Sequence, residues 1–346
     1  MVDSIELAQI ARALVAPGKG IMAADESSGT IKKRFDSIGA ESTETNRRDY
    51  RELLFRTPGA SAFISGVILF DETIRQDGAD GTPLRRVLTD QGIIPGIKVD
   101  KGTSALAGSN GELVTEGLDG LRDRLNEYHG LGARFTKWRA VITIGAGIPT
   151  DYCIDVNAHA LARYAALSQE AGLVPIVEPE VLVDGDHDID RSFEVTTATL
   201  REVFHQIAKQ RVSLEGLLLK SSMVLSGKSA SNRAPAEDVA RKTVACFKES
   251  VPAAVPGIVF LSGGQSDDEA TVNLDAINRH AAAVGAPWEL SFSYGRGLQG
   301  APLKAWGGNP ANAAAAQKAY YHRAEVTAAA RQGKYSRSME LAGSTP

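Results

Sequence analysis

The decapeptide LEGLLLKSSM, residues 214–223, ends an apolar run on Lys220. An ammonium group at the end of a buried strand costs several kcal/mol unless it is paired or neutralised. A free lysine has a pKa near 10.4, so only about 0.1% of it is neutral at pH 7.4. Burial and neighbouring cations both lower that value. A pKa lower by about three leaves about half of the amine neutral at that pH. A neutral amine beside a carbonyl substrate forms a Schiff base. The plainer alternative is a surface lysine that only rests its stem on apolar neighbours.

Other residues of the right chemistry accompany it. Lys98 in IIPGIKVDKG and Lys137 in FTKWRAVITIG supply cations, with Lys137 the expected neighbour of Lys220. In VEPEV, Glu178 and Glu180 stand two apart and point to one side of an extended segment. Two close carboxylates separate their pKa values, so that one can carry a proton near neutral pH. A salt-bridge network that merely neutralises the lysines is the competing reading, and one carboxylate can do both jobs. Anion binding is signalled twice. LSGGQS (261–266) frees backbone N–H groups through adjacent glycines, and SYGRGLQG (293–300) adds Arg296, whose planar guanidinium suits phosphate.

These groups need elements that gather them. Eight short apolar or β-rich runs recur, from GIMAADES to WELSFSYGRG, and helical patterns such as NAHALARYAALSQEAG fall between most of them. From Asp25 to Tyr294 the spacing is about 38 residues per interval, room for a strand, a loop, a helix and a return. The pattern predicts an α/β fold, a (β/α)8 TIM barrel, with a doubly wound open sheet as the alternative. In such a barrel the C-terminal strand ends share one mouth. Asp25, Lys98, Lys137, Glu178, Lys220, Ser262 and Arg296 occupy those positions. The segment before the first strand reads as an amphipathic helix stopped at Pro17-Gly18. After the eighth, a long helix starts with Asn309 as N-cap and Pro310 at N1. One domain over 1–346 is expected, with about 333–346 a mobile tail.

Bulk properties narrow the field. The 346 residues are 43% hydrophobic and 23% charged, with a formal net charge of -4. That balance offers no general attraction to nucleic acid or to anionic membrane. No apolar run approaches the roughly 20 residues of a membrane span. Two distant cysteines, Cys153 and Cys246, and an N-terminus unlike a signal peptide fit a reducing cytoplasm. The six histidines lack paired metal spacing, so no metal and no cofactor is expected. GRGLQG matches a dinucleotide fingerprint in letters, but no further strand and no acidic residue about 20 positions on follows it. DGDHDID from Asp184 resembles a calcium loop, yet Ile189 and Val195 stand where Gly and Glu are needed.

AADESSGTIKKRF, GIKVDKG, KWR, PIVEPE, DGDHD, LEGLLLK, FLSGGQS, SFSYGRGLQ and LKAWGG stand in one order over about 300 residues, and in them the chain resembles class I fructose-bisphosphate aldolase. The resemblance implies a metal-independent lyase of glycolysis and gluconeogenesis acting on sugar phosphates, and a homotetramer. It implies that Lys220 forms the imine, Glu178 acts as acid/base, Glu180 positions the lysines, Asp25 handles the C4 hydroxyl and Lys137 polarises the substrate. Ser262, Gly263 and Arg296 match the site of the C1 phosphate. Ser27, Thr30 and Lys98 match the other phosphate, with Arg34 and Arg139 as cationic neighbours. Three departures stand out. Ser221-Ser222 replaces the commoner Pro-Asn, GRG replaces GRA, and no tyrosine follows Tyr335, whereas animal members end in one to which enamine proton transfer is ascribed. A transaldolase-like or deoxyribose-phosphate-like enzyme would need only one phosphate site, and a non-catalytic sugar-phosphate binder or scaffold would not need the intact lysine and carboxylates.

Overall fold

The structure, a computed structural model, describes residues 4–342. Its strands are β1 (Gly20–Ala24), β2 (Ile64–Leu69), β3 (Ile94–Lys98), β4 (Thr103–Ala105), β5 (Leu113–Thr115), β6 (Phe135–Ile142), β7 (Val174–Val181), β8 (Leu218–Ser221), β9 (Gly257–Phe260) and β10 (Glu289–Tyr294). Eight of them close a parallel barrel in the order β1-β2-β3-β6-β7-β8-β9-β10. The chain is thus a (β/α)8 barrel, and each of the eight runs noted in the sequence contributes one barrel strand. The antiparallel hairpin β4–β5 carries no sequence signal strong enough to have been anticipated. It is only three residues deep, below the length at which alternation is readable.

Alternation along the barrel strands sorts side chains into two layers. Odd members of β1 (Ile21, Ala23), with Phe135, Val174, Ile176, Leu218 and Val259, form an inner cluster. Their neighbours Met22, Val177, Leu219, Ile258 and Phe260 belong to the outer cluster between sheet and helices. The three leucines before Lys220 are therefore not one face. Leu218 shares the lumen with Lys220, and Leu217 and Leu219 meet the helices. Packing inside is tight. A Cβ on Gly96 would sit 2.3 Å from the Phe135 ring, so glycine there makes room for the aromatic.

The helix Ser4–Leu14 lies under the N-terminal strand ends and buries Leu7, Ala11 and Leu14 in the inner cluster. It forms the floor of the barrel. The helix Ala313–Arg331 follows a short turn, Pro310–Asn312, whose Asn309 side chain accepts from the Ala311 N–H at 3.0 Å. Within the segment expected to be a mobile tail, Arg337–Ala342 forms a helix. Tertiary contacts tie the described part of this region to the barrel. Arg323 pairs with Glu340 at 2.7 Å, and the Tyr335 N–H donates to Asp275 at 3.0 Å. Residues 343–346 of that segment lie outside the described residues.

Candidate active site

The inward faces that are apolar low in the barrel become charged near its top. Ile21 and Ala23 lead to Asp25, Phe135 to Lys137 and Arg139, Ile176 to Glu178 and Glu180, and Leu218 to Lys220. Lys137 stands in the middle of β6 rather than at its end. The strands are staggered, and Lys98, the last residue of β3, is its register partner. All thirteen residues singled out above line one cavity of about 1000 Å³ at the C-terminal face: Asp25, Ser27, Thr30, Arg34, Lys98, Lys137, Arg139, Glu178, Glu180, Lys220, Ser262, Gly263 and Arg296.

At the centre, Glu178 bridges two lysines. Its Oε1 lies 3.3 Å from Lys220 Nζ and its Oε2 3.2 Å from Lys137 Nζ. Lys137 also bonds Asp25 Oδ2 at 2.7 Å. The Lys220, Lys137 and Glu178 side chains are each 5% exposed or less, so little water screens these charges. Burial alone would raise the Asp25 pKa, but Lys137 and Lys220 outweigh it and hold the carboxyl at about 2. For Lys137, burial works against the charge, yet Asp25, Glu178 and Asp100 together raise its pKa above the ordinary lysine value. Glu180 takes Arg139 Nε as its partner. The acid pair suggested by the two-residue spacing is thus divided between partners, with both lysines on Glu178 and Arg139 on Glu180.

The loops after β9 and β10 meet at Ser262. Its hydroxyl accepts from the Gly297 N–H at 3.3 Å, and the Arg296 guanidinium donates to the carbonyls of Ser262 and Gln265. Gly264 has φ +77, and a Cβ there would fall 1.7 Å from Val183, so only glycine fits. Across the mouth, the Ser27 and Thr30 hydroxyls stand 3.2 Å apart at the start of the helix Ser28–Asp36. Arg34, expected at that end, is engaged by Glu26 and lies 3.5 Å from where a Gly295 side chain would be. It therefore sits between the two ends. Ser222 Oγ donates to the Val181 carbonyl at 2.8 Å, which ties β8 to β7 where the commoner family pattern has asparagine.

Sequence reasoning did not single out Glu26, Asp100, Arg124 or Ser293, which also line the cavity. Glu26 and Asp100 stand inside the noted stretches AADESSGTIKKRF and GIKVDKG, but nothing in the sequence distinguishes a carboxylate facing the lumen from one facing solvent. The acidic loop at 184–190 has a structural use. Asp188 caps the helix Ile189–Lys209 by accepting from the Arg191 N–H at 2.8 Å. Among the described residues no group of three His, Cys, Asp or Glu is placed to hold a metal ion, and no helix is long and apolar enough to cross a membrane.

The family model for fructose-bisphosphate aldolase class-I matches residues 6–345. The chain belongs to the class I fructose-bisphosphate aldolases. It is 59% identical over 331 residues to a protein of Xanthomonas campestris named probable fructose-bisphosphate aldolase class 1, covering 95% of this chain and 98% of that one. It is 52% identical over 341 residues to the cytosolic fructose-bisphosphate aldolase 4 of Arabidopsis thaliana, covering 99% and 86%. The fructose-bisphosphate aldolase of Plasmodium falciparum, solved in a ternary complex with TRAP and a small-molecule inhibitor, superposes with a TM-score of 0.94 at 49% identity over 96% of this chain and 95% of that one. With the family comes its reaction, the reversible aldol cleavage of fructose 1,6-bisphosphate in glycolysis, run through a Schiff base on a lysine.

Proposed function

We propose that Lys220 is the nucleophile of this aldol cleavage and that Glu178 moves its protons. Lys220 Nζ attacks the C2 carbonyl of the open-chain ketose, and loss of water leaves an iminium ion. Removal of the C4 hydroxyl proton then lets the C3–C4 bond break, and its electron pair enters the iminium to give an enamine. Glyceraldehyde 3-phosphate departs, protonation of the enamine carbon follows, and hydrolysis releases dihydroxyacetone phosphate and the free amine. The observation that carries this reading is the Glu178 bridge, which lies within 3.3 Å of both lysine nitrogens and can pass protons at the imine nitrogen. Asp25, kept ionised by Lys137, accepts the hydrogen bond of the C4 hydroxyl, and Lys137 polarises the substrate oxygens. Glu180 and Arg139 form the wall beside Glu178.

Ser262, Gly263 and Arg296 take the C1 phosphate at the N-terminus of the helix Arg296–Trp306, where backbone N–H groups face an anion. Ser27, Thr30 and Lys98 take the other phosphate, and Arg34 lies between. Anchoring both ends orients C3–C4 over the lysine. The single domain, a cytosolic location and a homotetramer are proposed with it on family membership. Sedimentation equilibrium distinguishes four chains from one.

Borohydride trapping tests the nucleophile. Protein incubated with dihydroxyacetone phosphate and EDTA, then reduced and digested, should carry its adduct on Lys220. Lys220→Arg keeps the charge but forms no imine, and its cleavage should collapse. An adduct on a different lysine, or near-normal activity in Lys220→Arg, would sink the assignment.

A further inference from the structure

Lys98 ends β3, and its ammonium group is held by the residue two positions on. Nζ lies 2.6 Å from Asp100 Oδ1 and donates to the Asp100 carbonyl at 2.9 Å. The Asp100 side chain is 3% exposed and the Lys98 side chain 16%, so the carboxylate is withdrawn from water while the cation still reaches the cavity. Further bonds fix the carboxylate itself. Oδ1 accepts from the Gly102 N–H at 3.2 Å, and Oδ2 accepts from the Arg139 N–H on β6 at 3.2 Å. The same turn is tied to β6 again where the Val99 N–H donates to the Lys137 carbonyl at 3.0 Å. Asp100 is thus anchored to the strand that carries Lys137, and Lys98 is anchored to Asp100.

A lysine ammonium has three N–H donors. Asp100 engages two of them, which leaves one for an anion in the cavity. A long side chain clamped in this way surrenders little rotamer freedom when the anion arrives. We infer that Asp100 is the positioning residue of the distal phosphate subsite. It holds Lys98 where a second phosphate is recognised and so sets the preference for a bisphosphorylated ketose over a monophosphorylated one. The inference rests on the reading of Lys98 as a ligand of that phosphate. The competing role for Asp100 is that of a turn builder, since its bond to Gly102 would order the loop without any substrate.

The two roles separate in the ratio of kcat/KM for fructose 1,6-bisphosphate to that for fructose 1-phosphate. A structural defect lowers both terms, whereas loss of the clamp lowers the first. Asp100→Asn should reduce the ratio about tenfold, the loss of one charge-assisted hydrogen bond, and through KM more than kcat. Lys98→Met should reduce it as well, and the double variant should be no worse than Lys98→Met alone. If Lys98→Met leaves the ratio unchanged, the subsite reading fails and takes the inference with it. If Lys98→Met lowers the ratio but Asp100→Asn does not, or lowers both substrates equally, only the positioning role is overturned. Additive losses in the double variant overturn it too. Should Asp100→Asn fail to fold, Asp100→Glu keeps the charge and displaces it by one methylene. The same fall in ratio is then expected, and an unchanged ratio counts against the clamp.

Discussion

Lys137 holds two carboxylates on one nitrogen, and this sets the charge of the lumen before any substrate enters. Asp25 is bound at 2.7 Å and Glu178 at 3.2 Å. The Asp25 pKa, lowered from 3.8 to about 2, corresponds to about 2 kcal/mol of stability. A depressed carboxylate pKa means that the unfolded chain binds more protons. The contribution is therefore complete above about pH 4 and lost as the pH falls through about 2. Lys137 has the opposite sign. Its raised pKa gives stability that is complete below the unfolded value of 10.5 and is lost as the pH rises through the folded one. The urea midpoints of wild type and Asp25→Asn should differ most at neutral pH, with about half of the gap gone by pH 3. A gap that stays constant down to pH 3 would remove this carboxylate as its source.

At the scale of elements, two loops and one helix make the site proposed for the C1 phosphate, and Arg296 is their fastener as well as their cation. It bonds the carbonyls of Ser262 and Gln265 from the first turn of the helix Arg296–Trp306. Arg296→Ala should raise the KM for fructose 1,6-bisphosphate about tenfold or more, because bound substrate then lacks a charge-assisted hydrogen bond. An unchanged KM would leave Arg296 as a loop fastener only. This scale also separates what the sequence discloses from what it does not. The eight strands were readable because each is a short apolar run closed by Gly or a polar group. Lys220, Glu178 and Arg296 were readable because each breaks such a run with a charge. Asp100 and Glu26 were not, because their roles depend on partners in other elements, Arg139 for one and Gln299 and Arg51 for the other. The helix Arg337–Ala342 is too short for periodicity, and it is held to the rest of the molecule through Arg323 and Asp275, which no local pattern reveals. The pairing of Glu180 with Arg139 was likewise invisible. Spacing gives the side on which a residue points, not which cation stands opposite.

For the molecule as a whole, the barrel is a stack with an apolar lower half and a charged upper half, and the lower half can be weakened by itself. Leu14 is fully buried between the floor helix and the strands. Leu14→Ala should cost about 2–5 kcal/mol in urea unfolding. Its kcat should stay close to wild type, because the cavity lining begins higher in the lumen. A fall in kcat comparable to that of the lumen variants would show that the floor is coupled to the chemistry.

The helix Ser4–Leu14 has a consequence for traffic. The lower lumen is packed with side chains above that helix, so in the proposed reaction the ketose and both fragments share the cavity at the C-terminal face. With Lys220 as the proposed nucleophile, one fragment stays tethered to it after the bond breaks, and the aldehyde makes its exit first. In the reverse direction the queue is inverted, with the ketone fragment admitted and tethered before the aldehyde can usefully follow. The order of arrivals and departures thus follows from a covalent tether at the foot of a shared mouth.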